Sequence, residues 1–468
     1  MRKVLFFLLA LISLTASAGR RGIKRDYQYL PHEYRYRLTL TDKANNPYSV
    51  KHPEQFLSQK SIERRQRMGL AVDEYDLPIT PSYLKKIRAT GAHIFNCSKW
   101  NNTVQVSLND TTDSTLGKLR SLPFVSNVEL VYVAPDSVMI DNDSDRLELI
   151  TNNLRTREAA DSVYGFSQGQ ANQLNLPALH SLGFRGEGMT IAVIDGGFYN
   201  VDAISAFNQN HILGTRNFTR PGTSVYAEHS HGMMVLSCIA PNKPQSIIGT
   251  APEANFYLLE SEDTWFEYRG EEDNWCAAIE YADSLGVDVV TSSLGYTHYD
   301  EPKYKLHYHW LDGKHELNSR SASLAASRGI LVCNSAGNEG DESWKKIGFP
   351  ADASDILTVG AVNAEGVNTA FSSIGYSADG RIKPDCMAQG GRTTVLGIDG
   401  EISNANGTSF SCPVMAGAVT CLLQAFPGKR PTDIIDAIHR AGNNFEHPDE
   451  IFGYGIPDMM KAYEILKK

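Results

Sequence analysis

The sequence predicts an α/β protein in which a doubly wound, mainly parallel sheet follows a smaller α+β domain. After residue 165, apolar strands alternate with helical stretches, which is the pattern of a parallel sheet covered by helices on both faces. The predicted strands are MTIAVID, NFYLLES, VDVVTSSLG, GILVCNSAGN and ILTVGAVN, and the helical stretches include HGMMVLSCIA, NWCAAIEYADSLG and SRSASLAASRG. Ligands of such folds bind beyond the carboxyl ends of the strands, so polar residues at these ends are the candidate functional residues.

Residues 35–135 have a more compact pattern of strands and helices. The strand YRYRLTLT is followed by the helical stretches PEQFLSQKSIERRQRMG and PSYLKKIRATG, the strands AHIFNCSKW and NTVQVSLN, the helix DSTLGKLRSL and the strand VSNVELVYV. With the first helix set aside as an insertion, the order is the split βαβ arrangement of a ferredoxin-like domain. The polar, acidic segment from Pro135 to Gly165 is interpreted as a linker.

The N-terminus has the features of an export signal. Two basic residues precede an apolar run from Val4 to Leu14, and Ala16-Ser17-Ala18 supplies the small residues of a cleavage site, so residues 1–18 should be removed. No later run is long enough to span a bilayer. A net charge of −10 argues against the basic face that nucleic-acid binding requires. We therefore expect an exported monomer, periplasmic or extracellular, that binds neither membrane nor nucleic acid.

The seven cysteines are an odd number for an exported chain and allow two interpretations. Cys97 is the only one before residue 238, so loss of an N-terminal domain would leave six, whose pairing the sequence does not define. Cys333, Cys412 and Cys421 lie in apolar or small-residue runs, where free cysteines behave as small buried residues. We favour buried, unpaired cysteines for most positions. No CxxC or HxxxH pair marks a metal site.

Four polar residues lie at strand ends or helix starts of the predicted sheet. Asp195 closes MTIAVID, His231 lies in HSHG before a helix, Asn338 follows GILVC, and Ser409 lies in NGTSFSCPVMAG at the start of an apolar helix. Each alone is explained as a turn former or a helix cap. Together they supply a serine nucleophile, an imidazole base, a carboxylate that orients the imidazole, and an amide donor for an oxyanion. The set predicts covalent catalysis of acyl transfer.

The chain order Asp, His, Ser and the sequences around these residues resemble the subtilisin-like serine proteases, the subtilase family. The matching stretches are AVIDGGF, HSHGMMV, SSLG, SAGNEG and NGTSFSCPVMAG, and the resemblance covers about residues 160 to 468. It implies a serine endopeptidase made as a zymogen, with residues 19–155 as propeptide and linker and residues 156–468 as the catalytic domain. The partners it implies are protein or peptide substrates and the chain's own propeptide, an intramolecular inhibitor and folding chaperone.

The resemblance also implies a specificity pocket between two segments of the catalytic domain. The residues that would line it are Ser293, Leu294, Gly295 and Gly348. Gly348 falls where the family has the pocket floor, and no acidic residue stands in either segment, so we expect large apolar or aromatic residues on the acyl side of the scissile bond. Glu339, next to Asn338, is the residue that would attract a basic side chain instead. Structural calcium is implied by the family alone, since no loop has a strong calcium-ligand pattern, and no other cofactor is expected.

Some features depart from the family pattern. Met233 and Met234 follow the His-Gly pair where the family has Thr and a second His, and Phe410 follows the nucleophile where Met is usual. Neither departure touches a group that transfers a proton, so we expect activity to be retained. Insertions are expected near 260–275 and at 296–320, the second directly after the substrate-lining SSLG.

Two other function classes were compared with this interpretation. A non-catalytic binding protein on the same scaffold would usually have lost one of the four catalytic residues, and all four are present. An esterase of the α/β-hydrolase type needs a GxSxG elbow and the order Ser, Asp, His. NGTSFSCP lacks that elbow and the order differs, so the sequence favours an endopeptidase.

Overall fold

The computed structural model describes residues 26–28, 33–109, 113–135, 138–140, 162–207, 212–301 and 303–468. The predicted signal peptide, residues 1–18, lies outside these ranges. So does most of the predicted linker, including the expected domain boundary near residue 155.

The N-terminal domain is a four-stranded antiparallel sheet with order β3-β4-β2-β5. Its strands and helices are β2 (Tyr34–Leu40), α1 (Gln59–Met68), α2 (Pro81–Ala89), β3 (His93–Ser98), β4 (Thr103–Leu108), α3 (Asp113–Arg120) and β5 (Val125–Val133), with short 3-10 turns at Pro53–Gln55 and Glu74–Asp76. Without α1 this is the predicted ferredoxin-like order. Leu38, Val104, Ile87 and Leu119 pack between the sheet and α2 and α3.

One short strand lies where the sequence predicted a linker. β6 (Val138–Ile140) pairs antiparallel with β1 (Asp26–Gln28). A strand of three residues is too short for alternation of apolar and polar residues to be recognised in the sequence. The strand is defined by its pairing with β1, which lies more than 100 residues earlier in the chain.

The catalytic-domain sheet has seven parallel strands in the order β15-β14-β13-β12-β7-β11-β8. They are β7 (Thr190–Asp195), β8 (Ile212–Asn217), β11 (Asn255–Glu260), β12 (Val289–Ser292), β13 (Leu331–Ser335), β14 (Leu357–Val362) and β15 (Cys386–Gln389). Two small hairpins pair β9 (Asn242–Lys243) with β10 (Ile247–Ile248) and β16 (Thr393–Leu396) with β17 (Ile402–Ala405). The edge strands β8 and β15 were not predicted, because β8 is largely exposed and polar and β15 has only four residues.

Helices cover both faces of this sheet, which confirms the predicted doubly wound fold. They are α4 (Gln168–Gln173), α5 (Leu176–Ser181), α6 (His231–Ser237), α7 (Glu271–Leu285), α8 (Leu317–Ser327), α9 (Thr408–Ala425), α10 (Pro431–Ala441) and α11 (Met459–Leu466), with a 3-10 turn at Tyr308–Trp310. Along β7, Ile191 and Val193 face the core that contains α6 and α9, whereas Ala192 and Ile194 face the core of α7 and α8. This alternation is why the strand is apolar throughout.

Helix α9 is, within the described ranges, the one helix long and apolar enough to cross a membrane. Of its most apolar window, 89% is buried inside the catalytic domain, where Val414, Ala418 and Leu422 are inaccessible to solvent. The helix is therefore the centre of the protein core. All seven cysteines are free, and all except the half-buried Cys97 are buried.

The N-terminal domain docks on α7 through the sheet face opposite to α2 and α3. Arg37 of β2 donates to both carboxylate oxygens of Asp273, the shortest contact being 2.7 Å from Nη2 to Oδ2. Asn96 Nδ2 of β3 donates to Asn274 Oδ1 at 2.7 Å. Successive residues of these strands point to opposite faces of the sheet. One face packs against α2 and α3 and the other against α7, so both faces of the small sheet are covered.

Candidate active site

Asp195 and His231 form a buried pair at the carboxyl edge of the parallel sheet. His231 Nδ1 lies 2.7 Å from Asp195 Oδ1, and that oxygen also accepts a hydrogen bond from Gly196 N at 2.8 Å. The Asp195 side chain is 0% exposed and the His231 side chain 13% exposed. A carboxylate held in this position fixes the orientation of the imidazole and favours the tautomer with its proton on Nδ1.

The glycine after His231 allows α6 to start against the end of β7. Gly232 N donates to Gly197 O at 2.9 Å, and a Cβ on Gly232 would come within 2.9 Å of the Asp195 Cβ. Any larger residue would push His231 away from Asp195. Met233 and Met234, which depart from the family pattern, are 0% and 1% exposed and belong to the core rather than to the site.

Ser409 is the second residue of α9 and is 5% exposed. The ring of its neighbour Phe410 packs at 5.9 Å from the His231 ring, which brings the first turn of α9 beside the imidazole. Ser293 Oγ, just after β12, donates to Ser409 O at 2.8 Å and fixes the backbone there. A serine at a helix N-terminus lies where backbone N–H groups favour negative charge.

Asn338 is tied to the same helix start. Its Oδ1 accepts hydrogen bonds from Thr408 N and Thr408 Oγ1, both at 2.9 Å. Gly337 N donates to Thr408 Oγ1 at 3.2 Å. These bonds use the oxygen of the Asn338 amide and leave its Nδ2 as the group that can donate to a ligand beside Ser409.

The segments predicted to line the specificity pocket lie next to each other. Tyr296 N donates to Phe349 O at 2.9 Å and Phe349 N donates to Tyr296 O at 3.0 Å, which joins the segment after SSLG to the turn that contains Gly348. Leu294 is 4% exposed, Ser293 is 7% exposed and Gly295 is exposed. A Cβ on Gly348 would lie 3.1 Å from Tyr296 O, so the position has little room for a side chain on that side.

Glu339, the residue after Asn338, is hydrogen bonded to Ser373. Ser373 Oγ donates to Glu339 Oε2 at 2.7 Å, and Glu339 N donates to Ser373 Oγ at 3.1 Å. Burial raises the pKa of the Glu339 carboxyl above its ordinary value, despite the Ser373 hydrogen bond, which lowers it. The Ser373 hydrogen bond holds one oxygen of this carboxyl, the group that would attract a basic substrate side chain.

Three interacting carboxyl groups between the end of β11 and the start of α7 were not singled out from the sequence: Glu262, Glu267 and Glu271. Glu262 lies against Gly196, directly after Asp195. Burial, and then the charges of Glu267 and Asp195, raise the pKa of Glu262 well above its ordinary range. The carboxyl of Glu262 is thus harder to ionise than an exposed one, at a position directly beside Asp195. The sequence showed that this stretch is acidic. It did not show that the loop after β11 places Glu262 beside the end of β7.

The insertion expected near 260–275 is shorter in the structure. Helix α7 starts at Glu271, three residues before the predicted start at Asn274, so the loop between β11 and α7 covers only residues 261–270. The sequence analysis placed the three acidic residues at the start of α7 in a loop. In the structure they form the first helical turn, where acidic side chains are favoured by the helix dipole.

The described residues contain no group of three or more His, Cys, Asp or Glu side chains arranged to hold a metal ion.

Residues 186–455, more than half of the chain, match the Subtilase family, Peptidase S8. The chain belongs to the subtilase family. In this subtilase, residues 35–145 match the Peptidase S8 propeptide domain of Bacteroidota, so the N-terminal domain is the propeptide.

Individual subtilisins show the same relationship. Subtilisin NAT of Bacillus subtilis subsp. natto and subtilisin E of Bacillus subtilis (strain 168) are each 32% identical to this chain over 313 residues, which cover 65% of it and 72% of each relative. A subtilisin of Bacillus pumilus is 32% identical over 267 residues, 56% of this chain and 85% of that protein. The subtilase is therefore a serine endopeptidase with an N-terminal propeptide.

Proposed function

We propose that this subtilase is an exported zymogen that hydrolyses peptide bonds with Ser409 as nucleophile, His231 as base, Asp195 as the orienting carboxylate and Asn338 as oxyanion donor. The observation that carries the proposal is the 2.7 Å contact of His231 Nδ1 with Asp195 Oδ1, beside the helix start that holds Ser409. Export rests on the N-terminal sequence, and its destination is the periplasm or the exterior of the cell.

The chemistry follows from the orientation of the imidazole. Because Nδ1 donates to Asp195, Nε2 of His231 is the atom that takes the proton from Ser409 Oγ as the serine attacks the substrate carbonyl. The new Oγ–C bond converts the carbonyl oxygen into an oxyanion, which accepts hydrogen bonds from Asn338 Nδ2 and Ser409 N. His231 then returns the proton to the departing amine, and a water molecule, activated by the same imidazole, hydrolyses the acyl-enzyme.

We expect the chain to cut itself between about residues 150 and 162 and to release the propeptide, residues 19 to roughly 155. The cut is expected in the polar stretch of sequence between the two compact patterns of the chain, directly before YGFSQG. N-terminal sequencing and intact mass of the purified protein give the site. A serine-directed sulfonyl fluoride added before processing should block the cut. An active enzyme that still begins near Gly19, or processing unaffected by the reagent, would contradict the proposal.

The pocket should prefer large apolar or aromatic residues on the acyl side of the scissile bond. Each methylene buried in an apolar slot contributes about 0.8 kcal/mol, so phenylalanine and leucine substrates should exceed alanine in kcat/KM. A peptide library that varies this residue measures the preference. The matched variant is Glu339→Gln, which removes the one carboxyl next to Asn338 and should leave the profile unchanged. If arginine or lysine substrates lead with the parent enzyme and lose their lead with Glu339→Gln, Glu339 governs specificity and the apolar-pocket proposal is wrong.

A further inference from the structure

Two loops of the catalytic domain contact the edge strand β5 of the propeptide. One is the loop 261–270 between β11 and α7, and the other belongs to the insertion that follows SSLG. β5 is the last strand in the order β3-β4-β2-β5, so its outer edge pairs with no strand of that sheet. The residues that meet this edge are called here the β5-binding surface: Phe266, Tyr268, Arg269, Gly270 and Tyr304.

Arg269 supplies the charged contact of the β5-binding surface. Its Nη1 donates to Glu129 Oε1 of β5, a charge-assisted hydrogen bond. Arg269 also lines a cavity of about 350 Å³ together with Lys303 and Lys305, whose side chains are exposed. Burial raises the pKa of Glu316, a carboxyl in the same lining, to about 9. At neutral pH the cations therefore outweigh this carboxyl, and the cavity is suited to an acidic group.

Two further donors of the surface bind the backbone of β5. Tyr304 OH donates to Leu130 O, and Gly270 N, directly before α7, donates to Val131 O at 2.9 Å. Both acceptors are main-chain oxygens, which every peptide carries. These two contacts therefore select an extended backbone and place no demand on the side chains of these two residues.

Two aromatic rings of the surface hold the next residue of β5, Tyr132. The centroid of its ring lies 5.5 Å from that of Phe266 and 4.6 Å from that of Tyr268. Tyr132 is only 4% exposed in this contact. Residues 129–132 thus present, in order, an acidic side chain, two backbone oxygens and an aromatic ring. Removal of β5 would uncover the two rings, and exposed apolar groups with a polar rim are typical of protein-binding surfaces.

Contacts within the catalytic domain hold the β5-binding surface together. Glu267 N donates to Asp300 Oδ2 at 2.9 Å, and Asp300 N donates to Glu267 O at 3.0 Å, which ties the loop 261–270 to the insertion. Tyr299 OH donates to Glu272 Oε1 at 2.5 Å, which ties the insertion to α7. None of these three bonds uses a propeptide residue, so they do not depend on the propeptide.

We propose that the mature enzyme uses the β5-binding surface as a second binding surface for protein substrates, which takes an extended acidic-x-x-aromatic segment on the acyl side of the scissile bond. The proposal rests on the proposed function, because release of the propeptide frees the surface. In the zymogen, Glu129 to Tyr132 occupies it and precedes the expected cut by about 20 to 30 residues. A substrate with the same layout binds at two points, and the second contact becomes intramolecular. This lowers KM without involving the reacting groups.

The test compares two fluorogenic polypeptides cleaved by the mature parent enzyme. Both have the same cleavage site in a Gly/Ser-rich chain, about 25 residues after either Glu-Leu-Val-Tyr or Gln-Leu-Val-Ala. The acidic-aromatic segment should lower KM about tenfold with kcat unchanged. Changing only its Glu to Gln, or only its Tyr to Ala, should each remove part of this gain. Product masses verify that both polypeptides are cut at the shared site.

Enzyme variants show whether the gain arises at the β5-binding surface. Arg269→Gln should reduce the KM ratio of the two polypeptides from about ten to about three, since the backbone and aromatic contacts remain. Tyr304→Phe keeps the ring, removes the hydroxyl donor and should also reduce the ratio. Lys461→Gln, the matched control, changes an exposed cation on α11 and should leave the ratio unchanged. A ratio measured on one enzyme cancels any change at the scissile bond.

The parent enzyme decides the question even if a variant fails to mature. Equal KM values for the two polypeptides, or a segment that slows cleavage as an inhibitor, would overturn the proposal. A tenfold ratio that Arg269→Gln and Tyr304→Phe leave intact would overturn it as well. Absence of hydrolysis of both polypeptides would refute the proposed function itself, and the second binding surface with it.

Discussion

Ser409→Ala should lower turnover of a peptide substrate by about 10⁶-fold, the order of loss known from removing the nucleophile of subtilisin itself. The substitution removes the Oγ that would form the acyl bond, and alanine favours the helix that begins there, so the fold should be retained. The variant should also accumulate as the uncut chain. Initial rates with a chromogenic peptide and the intact mass of the purified protein measure the two effects.

Ser411→Ala is the matched control for this substitution. Ser411 lies on the same helix, is 0% exposed, and its Oγ donates to Thr408 O at 3.1 Å. Its loss removes a hydroxyl near the site without removing the proposed nucleophile, so activity should stay near the parent value. Hydrolysis by Ser409→Ala at the parent rate, in a preparation free of other proteases, would refute the assignment.

Asn338→Ala should lower kcat by about 10²–10³ with little change in KM, because the Nδ2 donor acts on an oxyanion that forms only in the transition state. That range was established on subtilisin itself, from an asparagine in the same role. Steady-state kinetics with one peptide substrate gives both constants. A kcat near the parent value would remove Asn338 from the oxyanion hole.

Asn338→Asp distinguishes two effects of removing the asparagine: loss of the Nδ2 donor, and loss of the hydrogen bonds that hold Thr408 at the start of α9. An aspartate keeps an oxygen that accepts from Thr408 N and Thr408 Oγ1, the two 2.9 Å bonds that anchor Asn338, but replaces Nδ2 with an acceptor. If the donor matters, Asn338→Asp is at least as slow as Asn338→Ala. If it instead restores most of the activity, the asparagine acts by holding Thr408 in place.

The predicted elements agree with the structure where one physical pattern runs over several residues. Strands such as β7 and β14 are buried on both faces and apolar throughout, so their composition identifies them. The prediction failed for elements whose structure depends on contacts with residues that are distant in the sequence. β8 is an exposed edge strand, and the start of α7 at Glu271 is acidic because its carboxyl groups meet the propeptide and the helix dipole.

The candidate site shows the same division. Asp195 and His231 were placed at a strand end and a helix start from sequence, and the structure brings them to 2.7 Å because parallel strands end at one edge. The buried carboxyl of Glu262 beside Asp195, whose pKa is raised by burial, was missed. Its state depends on burial by a loop that returns to the site, and burial of a loop residue has no signature in local sequence.

The sequence by itself determined the family and the fold class and predicted which residues would supply nucleophile, base and oxyanion donor, because periodicity and motif order are properties of neighbouring residues. The tertiary structure alone decided which polar groups form hydrogen bonds and ion pairs with each other. Arg64 is one of several basic residues on an amphipathic helix until folding places it against Asp283, Val287 and Arg328, more than 200 residues away. Contacts between such distant positions depend on how the sheet and its helices pack, and no local pattern encodes them.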